Sequence, residues 1–257
     1  MEKAHAGDPV NNAVYDSLDE RWYDATDDPI ALLRAESAAR IPWIEARIKK
    51  RYSPRAVRVL DVGCGGGFLS NPLARSGHAV TGVDASQASL NVAARHDPTR
   101  SVRYVLADAR RLPFSDASFE VVCAMDFLEH IDEPVAAIAE AARVLVPGGL
   151  FFFHTFNRNW LSYLVVIKGI EWFVRNVPRD LHVLRLFLKP EETLAMCAAN
   201  QLAVNEVRGF EPAIWSWAFF RLLGTGRVPK DFEFRFTSST RIGYTGFATK
   251  AGAEIPA

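Results

Sequence analysis

The chain carries no net charge: thirty basic and thirty acidic residues cancel over 257 positions. Nucleic-acid binders neutralise phosphates with surplus Lys and Arg, so composition gives no electrostatic case for nucleic acid as a partner. Cysteine is scarce. Cys64, Cys123 and Cys197 are odd in number and far apart. They make neither a metal spacing nor a redox pair, which predicts reduced thiols and a cytoplasmic setting. No run of about 18 uncharged apolar residues exists, so no helix is expected to span a membrane. The start, MEKAHAGDPVNN, lacks an apolar stretch behind a basic one. It reads as a disordered tail over 1–12 and not as a signal peptide.

What the chain does hold is apolar. Hydrophobic residues make up 49% of it, enough to bury the core of one large domain, taken as 13–250. Residues 13–50 have a helical pattern, with Pro29 and Pro42 read as breaks, and form a candidate lid. From 51 to 156 strands and helices alternate. VRVLDV (57–62), HAVTGVD (78–84), VRYVLAD (102–108), FEVVCAM (119–125) and LFFFHTF (150–156) read as buried strands. Between them FLSNPLARSG (68–77), SQASLNVAARH (86–96, Ser86 as N-cap) and EPVAAIAEAARVLV (133–146, stopped by Pro147-Gly148-Gly149) read as helices. Such alternation predicts an α/β, doubly wound, mostly parallel seven-stranded sheet, with an antiparallel last strand at the far side. Residues 157–188 are an apolar, aromatic insertion. A helix at 190–200, a strand at 202–210, an irregular aromatic stretch at 211–230 and one or two closing strands complete the C-terminal part (189–250).

Between the first strand and the first helix, Asp61 to Gly67 hold four glycines. Glycine loses much backbone entropy on folding, so packing alone does not explain the loop. A glycine turn opening a helix lets backbone N–H groups approach a nucleotide. Gly63, Gly65 and Gly67 fit G-x-G-x-G, but Phe68 stands where a dinucleotide fingerprint needs its third glycine. No Gly-Lys-Ser/Thr is present, and no Lys or Arg adjoins the loop. The ligand therefore lacks a pyrophosphate, and a cation suits Asp61. Asp84, followed by Ala85, ends the second strand, where a carboxylate accepts ribose hydroxyls. Asp108, backed by Ala109, ends the third and is placed for an adenine amino group. Ribose, adenine and a cation together describe S-adenosylmethionine. The competing reading is that these acids only cap turns.

LDVGCGGG, VTGVD, MDFLEH and LVPGG together resemble the signature of class I S-adenosylmethionine-dependent methyltransferases. TFNRNWLSYL and HVLRLFLKP resemble, more narrowly, the ubiquinone-biosynthesis O-methyltransferases, which act on polyprenyl catechols and hydroxyphenols. The resemblance implies a Rossmann-like fold and cofactor contacts from Arg40, Gly63, Asp84 and Met125. Where this chain has Asp126 the family usually has Glu, and His182-Val183 replaces its His-Asp. Other small-molecule acceptors, N- or C-methylation, and a non-catalytic module binding S-adenosylmethionine or a quinone lipid are the alternatives.

On the acceptor side, Asp126, Glu129 and His130 are spaced i, i+3 and i+4, which on a helix is one face. A phenol needs help to lose its proton at neutral pH. A histidine can take it, or a divalent cation such as Mg²⁺ can stabilise the phenolate. The resemblance favours a cation held by Asp126, Glu129 and His130; simple helix capping by Glu129 and His130 is the third reading. His154 and His182 are weaker candidates. Tyr15, Trp22 and Tyr23 read as a lid or as a packing helix. In the predicted helix 160–177, Lys168, Glu171 and Arg175 form a single polar stripe. That pattern suits a bilayer interface, a lid over a lipophilic acceptor, or a core helix.

Overall fold

The computed structural model describes residues 10–252. The first nine positions of the expected disordered tail lie outside the described residues. Asn11 and Asn12, also assigned to that tail, are tied down. Asn11 N–H donates to Asp180 O at 2.9 Å, and Asn12 opens a 3₁₀ turn, Asn12–Ser17.

Strands β1 (Arg58–Val62), β2 (Ala79–Asp84), β3 (Arg103–Leu106), β4 (Phe119–Met125), β5 (Leu145–Phe156), β6 (Leu202–Pro212), β7 (Phe234–Thr237) and β8 (Gly243–Lys250) form one sheet. Its order is β3-β2-β1-β4-β5-β8-β6-β7. The first five strands pair in parallel, and β8 enters antiparallel between β5 and β6. The predicted class holds, with an eighth strand added at the edge. The closing segment makes two strands, and β7 pairs with β6 from Gly209 to Pro212. Gly209 permits that edge, since a Cβ there would lie 1.8 Å from Ser239 O.

Alternation along the strands builds the core on both faces. Leu60, Val62, Val122, Phe151 and Phe153 face the helices Pro134–Val144 and Pro190–Ala199. Val59, Val121 and Phe152 face the other way, onto Trp43, Ile44, Ile48 and Leu73.

Three local expectations are corrected. Pro42 is not a break but lies inside the helix Ile30–Tyr52. Burial of Arg40, Trp43, Ile44 and Ile48 on its core side outweighs the lost backbone hydrogen bond. The helix Pro134–Val144 ends early, and Leu145 already pairs with Phe119; Val146 to Gly149 bulge out before Leu150 meets Val121. The stretch expected to be irregular contains the helix Trp217–Thr225. Ser216 caps its start by accepting from Phe219 N–H, and Gly226, at φ +70°, closes its end. The insertion is helical from Trp160 to Phe173, with a π-helical stretch Tyr163–Gly169 at its centre. Val174 beyond it packs against Ala218, Leu222 and Phe232.

Candidate active site

Strand order reverses between β1 and β4, so the crevice beyond their carboxyl ends is the natural ligand site. Gly63, Gly65 and Gly67 turn there with φ of +72°, +48° and +82°, conformations that L side chains rarely adopt. A Cβ at Gly65 would come within 2.5 Å of the Trp22 ring, and one at Gly63 within 2.5 Å of the Phe127 ring. The loop is thus bare partly so that two aromatic walls can approach it. Gly67 faces Tyr104 and Ala93 instead and does not line the cavity.

Asp84 accepts from Gly65 N–H and from Ser86 N–H, both at 2.8 Å. It caps a turn and lines the crevice at once, so the two sequence readings are not exclusive. Asp61 is buried and accepts from Ser70 Oγ at 2.6 Å. Burial pushes its carboxyl up to about 7. Asp108 sits half-exposed at the rim, bound in a fork to Arg110, which also reaches Glu133 at 3.0 Å. Ala85, Ala109 and Met125 join these groups around a cavity of about 430 Å³.

A second cavity of about 420 Å³ lies beside the first. Its wall is mostly Leu, Ile, Val, Phe and Trp from the helix Ile30–Tyr52, the insertion, and the helix Trp217–Thr225. Tyr15, Leu33, Asp126 and His130 line both cavities. The polar side chains of the apolar cavity gather mainly at that junction.

Asp126, Glu129 and His130 do not share a helix face. Asp126 directly follows β4 in a left-handed conformation, φ +54°, and only Leu128–His130 form a 3₁₀ turn. Asp126 is instead held by Arg40, a fully buried guanidinium that donates to both carboxylate oxygens, one at 2.8 Å. Burial would raise the Asp126 carboxyl, but Arg40 and His154 beside it hold it below the usual range. Glu36, one helical turn before Arg40, has an oxygen 3.9 Å from the guanidinium. Burial and the charge of Asp126 raise its carboxyl well above normal. Arg40 is not among the side chains that line either cavity, and its buried guanidinium meets the site through Asp126.

Glu129 is fully buried, and neither of its oxygens has a hydrogen-bond partner. Burial, and then the Asp126 charge, push it up to about 8. His130 is pulled down to about 4 by burial, and its Nδ1 is unpartnered. His154, behind Asp126 at 3.5 Å, and His182, in the insertion, are each pulled down to about 3, again by burial first. Among the described residues, the side chains able to converge on one metal ion are Glu36, Asp126 and His154, whose ligand atoms lie within 4.8 Å of one another. The expected set of Asp126, Glu129 and His130 is not brought together in that way. Sequence reasoning missed Glu36; its one local signal is the Glu-to-Arg spacing of four on a helix.

Tyr15 and Trp22 line the cavity at the glycine loop. Their rings stack at 5.8 Å, Tyr15 meets His130 edge-on, and Asn12 Nδ2 donates to His130 O at 2.9 Å. Tyr23 lies outside, its hydroxyl donating to Gly66 O.

Residues 60–153 match the family model described as "Methyltransferase domain". The ubiquinone biosynthesis O-methyltransferase of Paracidovorax citrulli is 36% identical over 79% of this chain and 85% of its own. That of Thiobacillus denitrificans is 35% identical over 91% and 97%. The magnesium protoporphyrin IX methyltransferase of Synechocystis, solved with bound SAH, matches 94% of this chain and 95% of its own at 17% identity and a TM-score of 0.61. Glycine loop, Asp84 and the crevice at the strand order reversal thus belong to an S-adenosylmethionine-dependent methyltransferase, and the chain is a member of the ubiquinone biosynthesis O-methyltransferase family.

Proposed function

We propose that the protein transfers the methyl group of S-adenosylmethionine to a phenolic or catechol hydroxyl on a lipophilic ring, a polyprenyl quinone precursor of the kind its relatives' names indicate. One observation carries this reading. A polar cavity at the glycine loop and an apolar cavity share a wall of Tyr15, Leu33, Asp126 and His130. An oily acceptor in the second cavity then meets the sulfonium methyl group at that wall, where alignment supplies much of the rate. Release of S-adenosylhomocysteine with a long-chain alkylcatechol, and none without it, is the expected result. No release with any catechol or hydroxyphenol sinks the reading.

In this arrangement Asp84 receives the ribose hydroxyls while it keeps Gly65 in place. Asp84→Ala is expected to weaken cofactor affinity by roughly 1.5–3 kcal/mol, the worth of hydrogen bonds to a charged group. Calorimetric titration reads it, and an unchanged affinity would put the ribose elsewhere.

His130 takes the acceptor proton. A histidine pulled down to about 4 is a weak base. The demand on it is small, because the phenol oxygen becomes strongly acidic as its new bond to carbon forms. The cation reading has one observation in its favour: both oxygens of Glu129 and Nδ1 of His130 are buried and unpartnered. Against it, both oxygens of Asp126 are taken by Arg40. That buried guanidinium already supplies the positive charge at the junction and repels a dication beside it. If a cation binds, Glu129 and His130 hold it, and it stabilises the phenolate. The base reading fits the geometry better.

A membrane-facing role for the aromatic segments belongs to the same proposal. Trp160, Trp172, Trp215 and Trp217 are 74%, 63%, 79% and 79% exposed, far beyond what a monomer's surface usually shows for Trp. Residues 157–188 carry five basic and two acidic residues, and 213–230 three basic and none acidic, in a neutral chain. Trp172, Phe173 and Leu223 also line the apolar cavity, so part of the exposed apolar surface borders it. No helix among the described residues is long and apolar enough to cross a membrane. Attachment would therefore be peripheral. In flotation with anionic vesicles the native protein is expected to rise, and Trp215→Glu/Trp217→Glu, which leaves the cavity lining intact, to stay below. A native protein that never floats refutes it.

A further inference from the structure

His182 stands out among the side chains that the chemistry above leaves unused. It lines the apolar cavity close to the junction, its ring 5.3 Å from that of His130 and tilted 46° to it. Phe156 and Phe187 box the ring from other sides at 5.5 and 6.0 Å. Among the described residues no side chain or backbone group hydrogen-bonds either of its nitrogens. The residue is only partly buried, and its nitrogens are not sealed off by the protein, so a ligand in the cavity can reach them.

The pair is also built as a unit. The N-terminal segment holds both histidine-bearing loops through consecutive residues. Asn12 Nδ2 donates to His130 O, while Asn11 donates through its backbone to Asp180 O and through its side chain to Arg179 O. Arg185 bonds Asp132 at 2.7 Å on the far side. The loop carrying His182 is therefore fixed relative to the 3₁₀ turn carrying His130. A single hydroxyl needs only one imidazole. Two neighbouring imidazoles can serve two oxygens on neighbouring ring carbons, each offering one donor or one acceptor.

We propose that His182 is a specificity-determining residue that binds the acceptor's second oxygen, ortho to the hydroxyl that His130 deprotonates, and so selects vicinal oxygenated rings over simple phenols. The assignment rests on the methyl-transfer reading given above. A phenol with one hydroxyl offers His182 no oxygen to bind, and a site made for a hydroxyl discriminates against its absence.

The test compares kcat/KM for a long-chain 4-alkylcatechol and the matching 4-alkylphenol in the native protein, His182→Phe and His182→Gln. The native protein is expected to prefer the catechol by about ten- to hundred-fold. His182→Phe keeps the ring volume and should bring that ratio close to unity, chiefly by raising KM for the catechol. His182→Gln, which retains a donor, should regain part of the preference. Equal losses on both acceptors in His182→Phe, or an unchanged ratio, overturn the assignment and leave His182 as wall. If the native protein methylates neither acceptor, the acceptor class itself fails and the assignment falls with it.

Discussion

His130→Ala is expected to lower kcat by about 10²- to 10⁴-fold near neutral pH, the usual worth of a positioned base. The loss should shrink as the medium becomes alkaline, because a free phenol near its ordinary pKa of about 10 ionises unaided. Excess chelator should leave the native enzyme unaffected under the base reading, in which no cation is needed. Glu129→Gln should cost much less than His130→Ala. The opposite pattern would mark the cation reading as correct: chelator abolishes turnover, added Mg²⁺ or Mn²⁺ restores it, and Glu129→Gln is as damaging as His130→Ala. The pH sign also separates the two readings. His130 is held low by burial, so the native enzyme keeps a free base throughout the neutral range. Its activity should not fall between about pH 8 and pH 6 through this residue. A steep loss over that interval in kcat would mean that the histidine titrates normally and that the cavity is wetter than its lining implies.

The cofactor half of the site was legible because its signals are local. An apolar strand, a run of glycines and a helix start are contiguous, and strand ends bring Asp61, Asp84 and Asp108 to one edge by topology alone. Even there, Asp108 turned out to be tied to Arg110 at the rim, a pairing two residues away that propensity does not weigh. The acceptor half was less legible. The spacing of Asp126, Glu129 and His130 suggested a helix, but Asp126, directly after β4, is itself left-handed and breaks that geometry. Asp tolerates that conformation better than most residues, so a sequence pattern does not register it. Its partner Arg40 lies 86 residues earlier, and no periodicity reports a pairing at that range. The helix Trp217–Thr225 escaped for a different reason. Its cap residues Ser216 and Gly226 are in the sequence, but the helix is only nine residues long and sits in an aromatic stretch that reads as irregular. Phe219, Leu222 and Leu223 line the apolar cavity, while Trp217 and Phe220 stand exposed, so burial alone does not account for the apolar content of this helix.

Arg40→Met carries the largest expected effect on stability. The guanidinium is fully buried, lies over the Phe210 ring at 5.1 Å, and is the fixed positive charge among Glu36, Asp126 and Glu129. Removing one partner of such a pair leaves the other charged and unsolvated, at a cost of about 3–5 kcal/mol, a large share of a domain's total stability. Asp126→Asn should cost less. Glu36, already 3.9 Å from the guanidinium, can ionise in its place once Asp126 no longer repels it. Arg40→Met/Asp126→Asn should recover most of the loss, because no charge is then stranded. The pH dependence has a definite sign. In the native protein Arg40 depresses the Asp126 carboxyl, so the pair's stabilisation is present above the ordinary carboxylate pKa and fades as pH falls through the depressed one. Without Arg40, burial and the neighbouring carboxyls raise Asp126, so folding favours its protonated form and stability falls as pH rises. The gap between native and Arg40→Met proteins should therefore be wider at about pH 8 than at about pH 5. Urea unfolding of the four proteins at both values measures it. An Arg40→Met protein as stable as the native one, or a double variant no better than Arg40→Met, would mean that water reaches Asp126 and that the junction between the two cavities is not the dry, charge-matched wall on which the proposed chemistry depends.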